Sequence, residues 1–246
     1  MTGFDPLCPD SDGADITESV KLQLYGTVAS LSCCAELRDK GEKPDTIACH
    51  SMGIYPALAA SGSIDRQAAL ELTFSFGVAL SSMRTKGEYA LGCVTGMEEK
   101  RLAEIARKSG VFIANRNTSR HFLLAGEKAK IVAALEMSEA SGAFSARIYP
   151  CDAPLHTPLL RETTQKLKMI ASGHVFVEPN IPLFEPLTQN RLTAGRIPSF
   201  LVDEICRPVF WDRTYMFLKG IGVSEFTEIA FSPLLSKFNR WIDNEL

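Results

Sequence analysis

A serine that could act as a nucleophile lies within residues 49–53, Cys-His-Ser-Met-Gly. The short apolar run before it predicts a buried strand, and the run after it, residues 54–60, predicts a helix. A sharp strand-to-helix turn of this kind exposes the Ser51 hydroxyl and directs the next backbone N–H, that of Met52, at the same point. Cys49 stands where such an elbow usually has a glycine, so a plain turn serine is the alternative interpretation.

A serine nucleophile needs a general base, and the chain contains four histidines as candidates. His50 adjoins the serine and is expected to point away from it. His121 heads a predicted strand, and His174 lies in a predicted structural loop. His156 lies in a loop bracketed by two prolines just before a helix, a setting in which catalytic bases are often found. The sequence therefore predicts that Ser51 and His156 form a catalytic pair, with a surface histidine as the alternative.

The composition excludes several other classes of function. With 246 residues, 46% of them hydrophobic, the chain can bury the core of one enzyme-sized unit. A net charge of −3 and a pI near 5.9 give no support for binding to nucleic acid or to an anionic membrane. No run of 18 apolar residues and no signal-peptide pattern occur, and the seven cysteines show no metal-type spacing. We therefore expect a reduced, cytoplasmic protein without a metal site.

The elements that must position these residues alternate between helices and strands. Apolar spacing predicts helices over residues 16–40, 66–83 and 158–172, with Asp65 as the N-cap of the second. Residues 1–15, rich in Asp, Pro and Gly, predict an irregular lead. Residues 87–149 are expected to form strand, helix, strand, strand, helix and strand, the order of a ferredoxin-like unit. Further strands are expected near residues 174–177 and 226–229.

A series of ordered motifs resembles those of a known enzyme family. Residues 47–65 are similar, without gaps, to the serine elbow of malonyl-coenzyme A:acyl carrier protein transacylases and polyketide acyltransferase domains, whose pattern is Gly-His-Ser-x-Gly-Glu-Tyr-x-Ala-Leu. The other motifs resemble the lid strands of that family, its histidine loop, and its late Pro-Val-x-Trp and final strand-and-loop signatures; they lie at residues 114–117 with 124–126, 154–160, 208–211 and 228–235.

The resemblance implies an α/β fold with two parts. An α/β-hydrolase-like core with a parallel sheet would comprise residues 1–86 and 150–246. An inserted ferredoxin-like subdomain, residues 87–149, would form a lid over one side of that sheet.

The resemblance also implies ping-pong acyl transfer. Ser51 would attack the thioester of an acyl-CoA while His156 removes its proton, and His156 would then activate the phosphopantetheine thiol of an acyl carrier protein. The backbone carbonyl of Glu204, which replaces the usual Gln or Asn, would orient His156, and the Met52 N–H would help to form the oxyanion hole. Acyl-CoA and the phosphopantetheine thiol are substrates, so no bound cofactor is expected.

Two departures from the family pattern bear on substrate and assembly. Phe76 occupies the position of the arginine that normally pairs with a malonyl carboxylate, and a buried carboxylate without that partner would cost several kcal/mol. Phe76 therefore predicts an acyl pocket that does not select malonyl groups. The family's opening Phe-Pro-Gly-Gln-Gly loop has no counterpart in residues 1–16. Without that strand the sheet has an open edge, which a partner subunit could cover.

Three functions remain open at this point. The chain could be an acyltransferase for a neutral or unusual acyl group, a hydrolase of acyl carrier protein thioesters, or a non-catalytic subunit with the same fold. Retention of both Ser51 and His156 favours the two catalytic hypotheses, and the different front segment favours the third.

Overall fold

The computed structural model describes residues 16–230 and 233–245, so the lead predicted at residues 1–15 lies outside the described residues. Short 3-10 helices cover Ser51–Gly53, Ser82–Lys86 and Pro158–Thr163. The helices and strands follow in chain order: α1 (Glu18–Asp39), β1 (Ile47–Ala48), α2 (Ile54–Ala60), α3 (Arg66–Ser81), β2 (Tyr89–Thr95), α4 (Glu99–Ser109), β3 (Phe112–Thr118), β4 (His121–Glu127), α5 (Lys128–Ala140), β5 (Ser145–Cys151), α6 (Thr164–Ser172), β6 (Leu183–Phe184), α7 (Ile197–Ile205), β7 (Val209–Phe210), α8 (Trp211–Gly220) and α9 (Leu235–Asn244).

The helices predicted from apolar spacing are present. Asp65 caps α3 as expected, because its carboxylate accepts a hydrogen bond from the Ala68 N–H at 2.7 Å. Thr17 caps α1 in the same way and also donates to Asp152 at 2.5 Å, which fastens the start of α1 to the segment after β5. These caps fix the ends of two helices that pack against the serine elbow and its helix α2.

A parallel strand pair carries the serine elbow. β1 pairs in parallel with β6, Ile47 opposite Leu183 and Ala48 opposite Phe184. The larger part of the chain comprises the described residues outside 89–151, that is, 16–88, 152–230 and 233–245. Within these ranges β1 and β6 form the only separate sheet, since β7 joins the sheet of residues 89–151. The α/β class is confirmed, but most of the layer that covers the pair consists of helices, with α2, α3, α6 and α7 contributing to one apolar core.

The strands predicted near residues 174–177 and 226–229 are wrong, since both segments are irregular. Val175 is 86% exposed and Val177 is 53% exposed, so no neighbouring strand or helix buries them. Phe226 packs its ring against the Tyr215 ring, with the centroids 4.9 Å apart. The apolar residues of the two segments suggested strands, but the strand that pairs with β1 is β6, at Leu183–Phe184.

Residues 89–151 form the predicted ferredoxin-like unit. β2 lies between β5 and β4, antiparallel to both, and β4 pairs antiparallel with β3, which gives the sheet order β5-β2-β4-β3. Helices α4 and α5 cover this sheet and close a second apolar core, separate from the first. Gly92 of β2 leaves room for this packing, because a Cβ there would lie 3.0 Å from the Leu135 side chain.

One strand from the larger part of the chain extends this sheet. β7 pairs in parallel with β3, with Asn115 opposite Val209 and Arg116 opposite Phe210. The late Pro-Val-x-Trp segment thus runs into β7 and the start of α8. The subdomain boundaries at residues 87 and 149 stay a prediction, and the sheet itself crosses them through β7.

The described part of the chain holds no helix that is long and apolar enough to cross a membrane. Among the same residues, no group of three or more His, Cys, Asp or Glu side chains could hold a metal ion.

Candidate active site

The serine elbow is a strained turn between β1 and α2. Ser51 has φ +52°, in the left-handed region that residues other than glycine seldom adopt. The Gly53 N–H donates to the His50 carbonyl at 3.1 Å and closes the 3-10 turn before α2 begins at Ile54. Such strain costs on the order of 1–3 kcal/mol and persists only where the surroundings enforce it, as is common at functional sites.

The side chain of Met52, the next residue of this turn, lies against helix α1. A Cβ at Gly26 of α1 would lie 2.9 Å from the Met52 Cε, so the glycine makes room for the Met52 side chain. The Met52 side chain thus packs against α1, next to the turn that carries Ser51. The oxyanion role of the Met52 N–H itself remains a prediction.

The structure brings Ser51 and His156 into direct contact. The Ser51 Oγ lies 2.7 Å from the His156 Nε2, and the His156 Nδ1 lies 2.7 Å from the backbone carbonyl oxygen of Glu204. A carbonyl oxygen only accepts, so Nδ1 carries the proton and Nε2 is free to accept the serine proton. The predicted pairing of the three residues in space is therefore present.

His156 is neutral in this environment. The side chain is buried, its backbone has φ +60°, and burial lowers its pKa to about 4, although the hydrogen bond to the Glu204 carbonyl opposes that shift. A neutral imidazole that accepts at Nε2 is the form that a general base requires.

Glu204 lies on α7 and contributes more than its carbonyl. Its side chain is buried, and burial raises the pKa of the carboxyl well above its usual range; the neighbouring Glu185 raises it further. The backbone of Ser51 opposes this rise in the pKa of Glu204. Glu204 of α7 thus holds His156 through its carbonyl and also places a buried carboxyl in the site.

A polar chain that the sequence did not reveal joins the elbow to the ferredoxin-like unit. The His50 Nε2 lies 3.2 Å from the Asn117 Oδ1, so this nitrogen carries a proton, and the Asn117 Nδ2 donates to the His121 Nδ1 at 3.0 Å. Burial, with a smaller contribution from His156, lowers the pKa of His50 to about 4. His50 thus points away from the nucleophile, as expected. The histidines could be noticed in the sequence, but Asn117 as their common partner could not.

Phe76 lies on α3 and is completely buried. Its ring meets the Tyr55 ring edge to face, with the centroids 5.9 Å apart, and both belong to the apolar core that also contains Cys49. Phe76 thus packs against the elbow helix α2, and its contribution to an acyl pocket remains a prediction.

Together, the fold and the site define a class of protein: an α/β protein with a ferredoxin-like insert and a serine held against a neutral histidine. This arrangement is suited to nucleophilic acyl transfer.

The comparisons with known proteins agree with this class. No protein-family model matches the chain. The polyketide biosynthesis protein ThaF of Burkholderia thailandensis is 28% identical over 218 residues, which cover 87% of this chain and 19% of ThaF. The malonyl CoA-acyl carrier protein transacylase of Bacillus subtilis is 24% identical over 249 residues, covering 97% of this chain and 78% of that enzyme. The chain thus spans about a fifth of the length of ThaF and most of the transacylase.

Solved structures show the same fold. The malonyl-transacylase PlMCAT, in complex with the type II PKS acyl-carrier protein AntF, superposes with a TM-score of 0.91 at 25% identity, covering 98% of this chain and 81% of the other. FabD from Acinetobacter baumannii gives a TM-score of 0.88 at 23% identity, covering 97% and 78%. The predicted resemblance is confirmed: the chain is similar over most of its length to malonyl-CoA:acyl carrier protein transacylases and shares their fold.

Proposed function

We propose that the protein is an acyltransferase that moves an acyl group from CoA to an acyl carrier protein through an ester on Ser51. The observation that carries this proposal is the 2.7 Å contact between the Ser51 Oγ and a His156 whose Nδ1 is held by the Glu204 carbonyl. The relatives that are named as transacylases support the same class of reaction.

In the first half-reaction the Ser51 Oγ attacks the thioester carbonyl carbon of an acyl-CoA. The serine proton passes to the His156 Nε2, and the carbonyl oxygen takes the negative charge of the tetrahedral intermediate. The Met52 N–H faces that oxygen in this scheme, and one such donor is worth about 3–4 kcal/mol. The C–S bond then breaks, His156 returns its proton to the leaving CoA sulfur, and the acyl group remains as an ester of Ser51.

In the second half-reaction the phosphopantetheine thiol of a carrier protein replaces CoA. The His156 Nε2 takes the thiol proton, the sulfur attacks the ester carbonyl, and the C–O bond to Ser51 breaks. The proton passes from His156 to the serine oxygen, which restores the free enzyme. The solved complex of PlMCAT with its acyl-carrier protein supports this choice of partner for a protein of the same fold.

The acyl group in our proposal carries no carboxylate. Phe76 contacts the ring of Tyr55, which lies on the elbow helix, and in this proposal the two side chains would form an apolar wall of the acyl pocket rather than supply a cation. An unpaired carboxylate against such a wall would cost several kcal/mol, whereas an alkyl chain would gain from burial. We therefore expect Ser51 to be labelled faster by acetyl-CoA than by malonyl-CoA. Faster labelling by malonyl-CoA would contradict this substrate class without affecting the proposed reaction type.

A labelling experiment tests the proposal directly. The protein is incubated with a panel of acyl-CoA thioesters, and the added mass is measured on the intact chain and located by peptide mapping. We expect an adduct on Ser51 that is stable in buffer and clears when a phosphopantetheinylated carrier protein is added. Ser51→Ala should give no adduct, whereas Ser172→Ala, at an exposed serine outside the site, should label like the parent protein.

Two outcomes would replace the proposal with one of its competitors. Rapid loss of the adduct in water, without any carrier protein, would indicate a thioester hydrolase. No adduct with any donor would leave a non-catalytic subunit that retains the fold.

A further inference from the structure

The loop that carries His156 is anchored at its start by the carboxylate of Asp152. This residue directly follows β5 and precedes His156 within the same loop. Its Oδ2 accepts hydrogen bonds from the hydroxyls of Thr17 at 2.5 Å and Ser81 at 2.9 Å, and its Oδ1 lies 3.7 Å from the Arg84 Nε. One carboxylate thus ties the start of the loop to the N-cap of α1, to the last residue of α3 and to the 3-10 helix that follows α3.

The segment of residues 81–86 also contacts the far end of the loop. The Lys86 Nζ lies 2.6 Å from the Glu162 Oε2, in the 3-10 helix that begins just after His156. Both side chains of this ion pair are exposed, so the pair contributes little by itself. The Asp152 side chain is only 18% exposed and accepts hydrogen bonds on a charged group, which are the stronger kind. Asp152 is therefore the firmer of the two anchors.

His156 depends on a fixed loop because its backbone is strained. Its φ of +60° lies in the left-handed region, and such a conformation persists only where the surroundings enforce it. Within the loop, the Thr157 hydroxyl donates to the Pro154 carbonyl at 2.6 Å. This bond shapes the loop without connecting it to another element. The hydrogen bonds of Asp152 supply a connection to α1 and α3.

We propose that Asp152 is a positioning residue for the general base: through the hydrogen bonds that its carboxylate accepts, it holds the loop so that the His156 Nε2 stays within reach of the Ser51 Oγ. The contact between these two atoms is 2.7 Å long, and a misplacement of about 1 Å can cost about 10²-fold in rate. Asp152 acts through the loop and not on the reacting atoms. The inference rests on the proposed function of Ser51 as a nucleophile.

The test uses a fluorophosphonate probe, so that it does not depend on the acyl donor. The Ser51 Oγ attacks phosphorus, the O–P bond forms, the P–F bond breaks, fluoride leaves and the His156 Nε2 takes the serine proton. The labelling rate is measured at a series of probe concentrations near neutral pH. This series separates the maximal rate constant from the affinity for the probe.

Three variants are compared with the parent protein. Asp152→Ala removes the acceptor of both hydroxyls, whereas Asp152→Asn keeps one side-chain oxygen that can accept from them. Asp243→Ala is the matched control. The Asp243 carboxylate also accepts from a hydroxyl, that of Tyr215 at 2.8 Å, and pairs with a cation, the Lys219 Nζ at 2.5 Å, but it joins α8 to α9.

We expect Asp152→Ala to lower the maximal rate constant about tenfold or more with little change in probe affinity, because the base moves and the probe site does not. Asp152→Asn should recover part of this loss, and Asp243→Ala should label like the parent protein. An unchanged rate constant in Asp152→Ala would overturn the proposal, as would an Asp152→Asn variant as slow as Asp152→Ala or an equal loss in Asp243→Ala.

The acidic limb of the labelling rate is a second readout, which a general loss of stability would not move. Burial lowers the pKa of His156 to about 4, and a loop without its anchor admits water to the imidazole. The midpoint of the limb should therefore rise from about 4 towards 6.5 in Asp152→Ala and stay in place in Asp243→Ala. His50, whose pKa is lowered in part by His156, is present in every variant and gives a common background. An unmoved limb in Asp152→Ala would overturn the proposal.

A milder variant keeps the proposal testable if Asp152→Ala does not fold. Ser81→Ala removes one of the two hydroxyl donors and leaves the carboxylate in place. It should lower the rate constant and raise the midpoint of the limb in the same directions by smaller amounts, and no change in either would overturn the proposal. Labelling of Ser51 by the probe but by no acyl-CoA would contradict the proposed function alone. An unlabelled parent protein would overturn both proposals.

Discussion

At the scale of single residues, the site depends on a histidine that stays neutral because it is buried. An ordinary histidine has a pKa near 6.5 and would be half protonated in mildly acidic solution, whereas burial lowers the pKa of His156 to about 4. A protonated Nε2 could not accept the proton of Ser51. The range of pH over which Ser51 can react is therefore set by the burial of its partner.

This arrangement predicts an acidic limb near pH 4 for the acylation of Ser51. The rate constant should stay level from about pH 7 to about pH 5 and should halve near pH 4, because only the neutral form of His156 is a base. The measurement is the rate of acyl-Ser51 formation under single-turnover conditions across this range. A limb near the ordinary histidine value would contradict the burial argument.

Stability must be measured beside the rate, because the same shift acts on folding. A histidine whose native pKa is lowered binds fewer protons when folded, so stability decreases as pH falls from about 6.5 through the native pKa near 4. His50 has the same shift and adds to this loss. A fall in the acylation rate can be assigned to His156 only at pH values where unfolding curves show that the protein is still folded.

At the scale of elements, helix α1 packs against the turn that carries Ser51, with Gly26 next to the Met52 side chain. The hypothetical Cβ at Gly26 lies 2.9 Å from the far end of the flexible Met52 side chain. Gly26→Ala should therefore be tolerated, since the Met52 methyl can shift. Gly26→Val should push the Met52 side chain and lower the labelling rate of Ser51 about tenfold or more. Gly195→Ala, where a Cβ meets nothing within 4 Å, is the control. Equal rates in all three variants would show that α1 does not position the turn.

The packing of α3 against α2 gives a second prediction, this time for stability. Phe76 is completely buried and contacts the Tyr55 ring, so Phe76→Ala should lower the free energy of unfolding by about 3–5 kcal/mol. Phe226→Ala, at a ring that is 36% exposed, should cost clearly less. Denaturant unfolding of the two variants measures both values. A loss below about 1 kcal/mol for Phe76→Ala would contradict its place in the core.

Some of these elements could be predicted from the sequence, and others could not. The Ser51 elbow, the loop of His156 and the ferredoxin-like order depend on local patterns, so they were predictable with nearly the observed bounds. The strand partner of β1 was not, because β6 has two residues and no periodicity, while the apolar segments at 174–177 and 226–229 looked more like strands. The burial of the Glu204 carboxyl depends on tertiary packing, and the motif suggested a role for its backbone alone.

At the scale of the whole molecule, the ferredoxin-like unit is connected to the elbow side by a few polar contacts. Asn117 of β3 bridges His50 and His121, and Arg116 of β3 forms an ion pair with Asp212 of α8, with Nε and Oδ2 2.6 Å apart. Asp212 is buried, and burial raises the pKa of its carboxyl although Arg116 opposes this shift. These contacts and the β3–β7 pairing hold the insert beside the nucleophile.

Removing one partner of the Arg116–Asp212 pair should cost more than removing both. Arg116→Met leaves the Asp212 carboxylate buried without its cation, and we expect a loss of about 2–4 kcal/mol in the free energy of unfolding, at the lower end because Arg116 is partly exposed. The double variant Arg116→Met with Asp212→Leu removes both charges and should recover at least about 1 kcal/mol of that loss. Lys128→Met, at an exposed pair with Glu88, should change stability by less than about 0.5 kcal/mol.

The Arg116–Asp212 pair joins β3 to α8. Arg116→Met should therefore also slow the labelling of Ser51 by a fluorophosphonate probe, because Asn117 on the same strand contacts His50 beside the serine. Additive losses in the single variants Arg116→Met and Asp212→Leu, with an unchanged labelling rate, would show that the pair neither couples energetically nor holds the insert against the elbow.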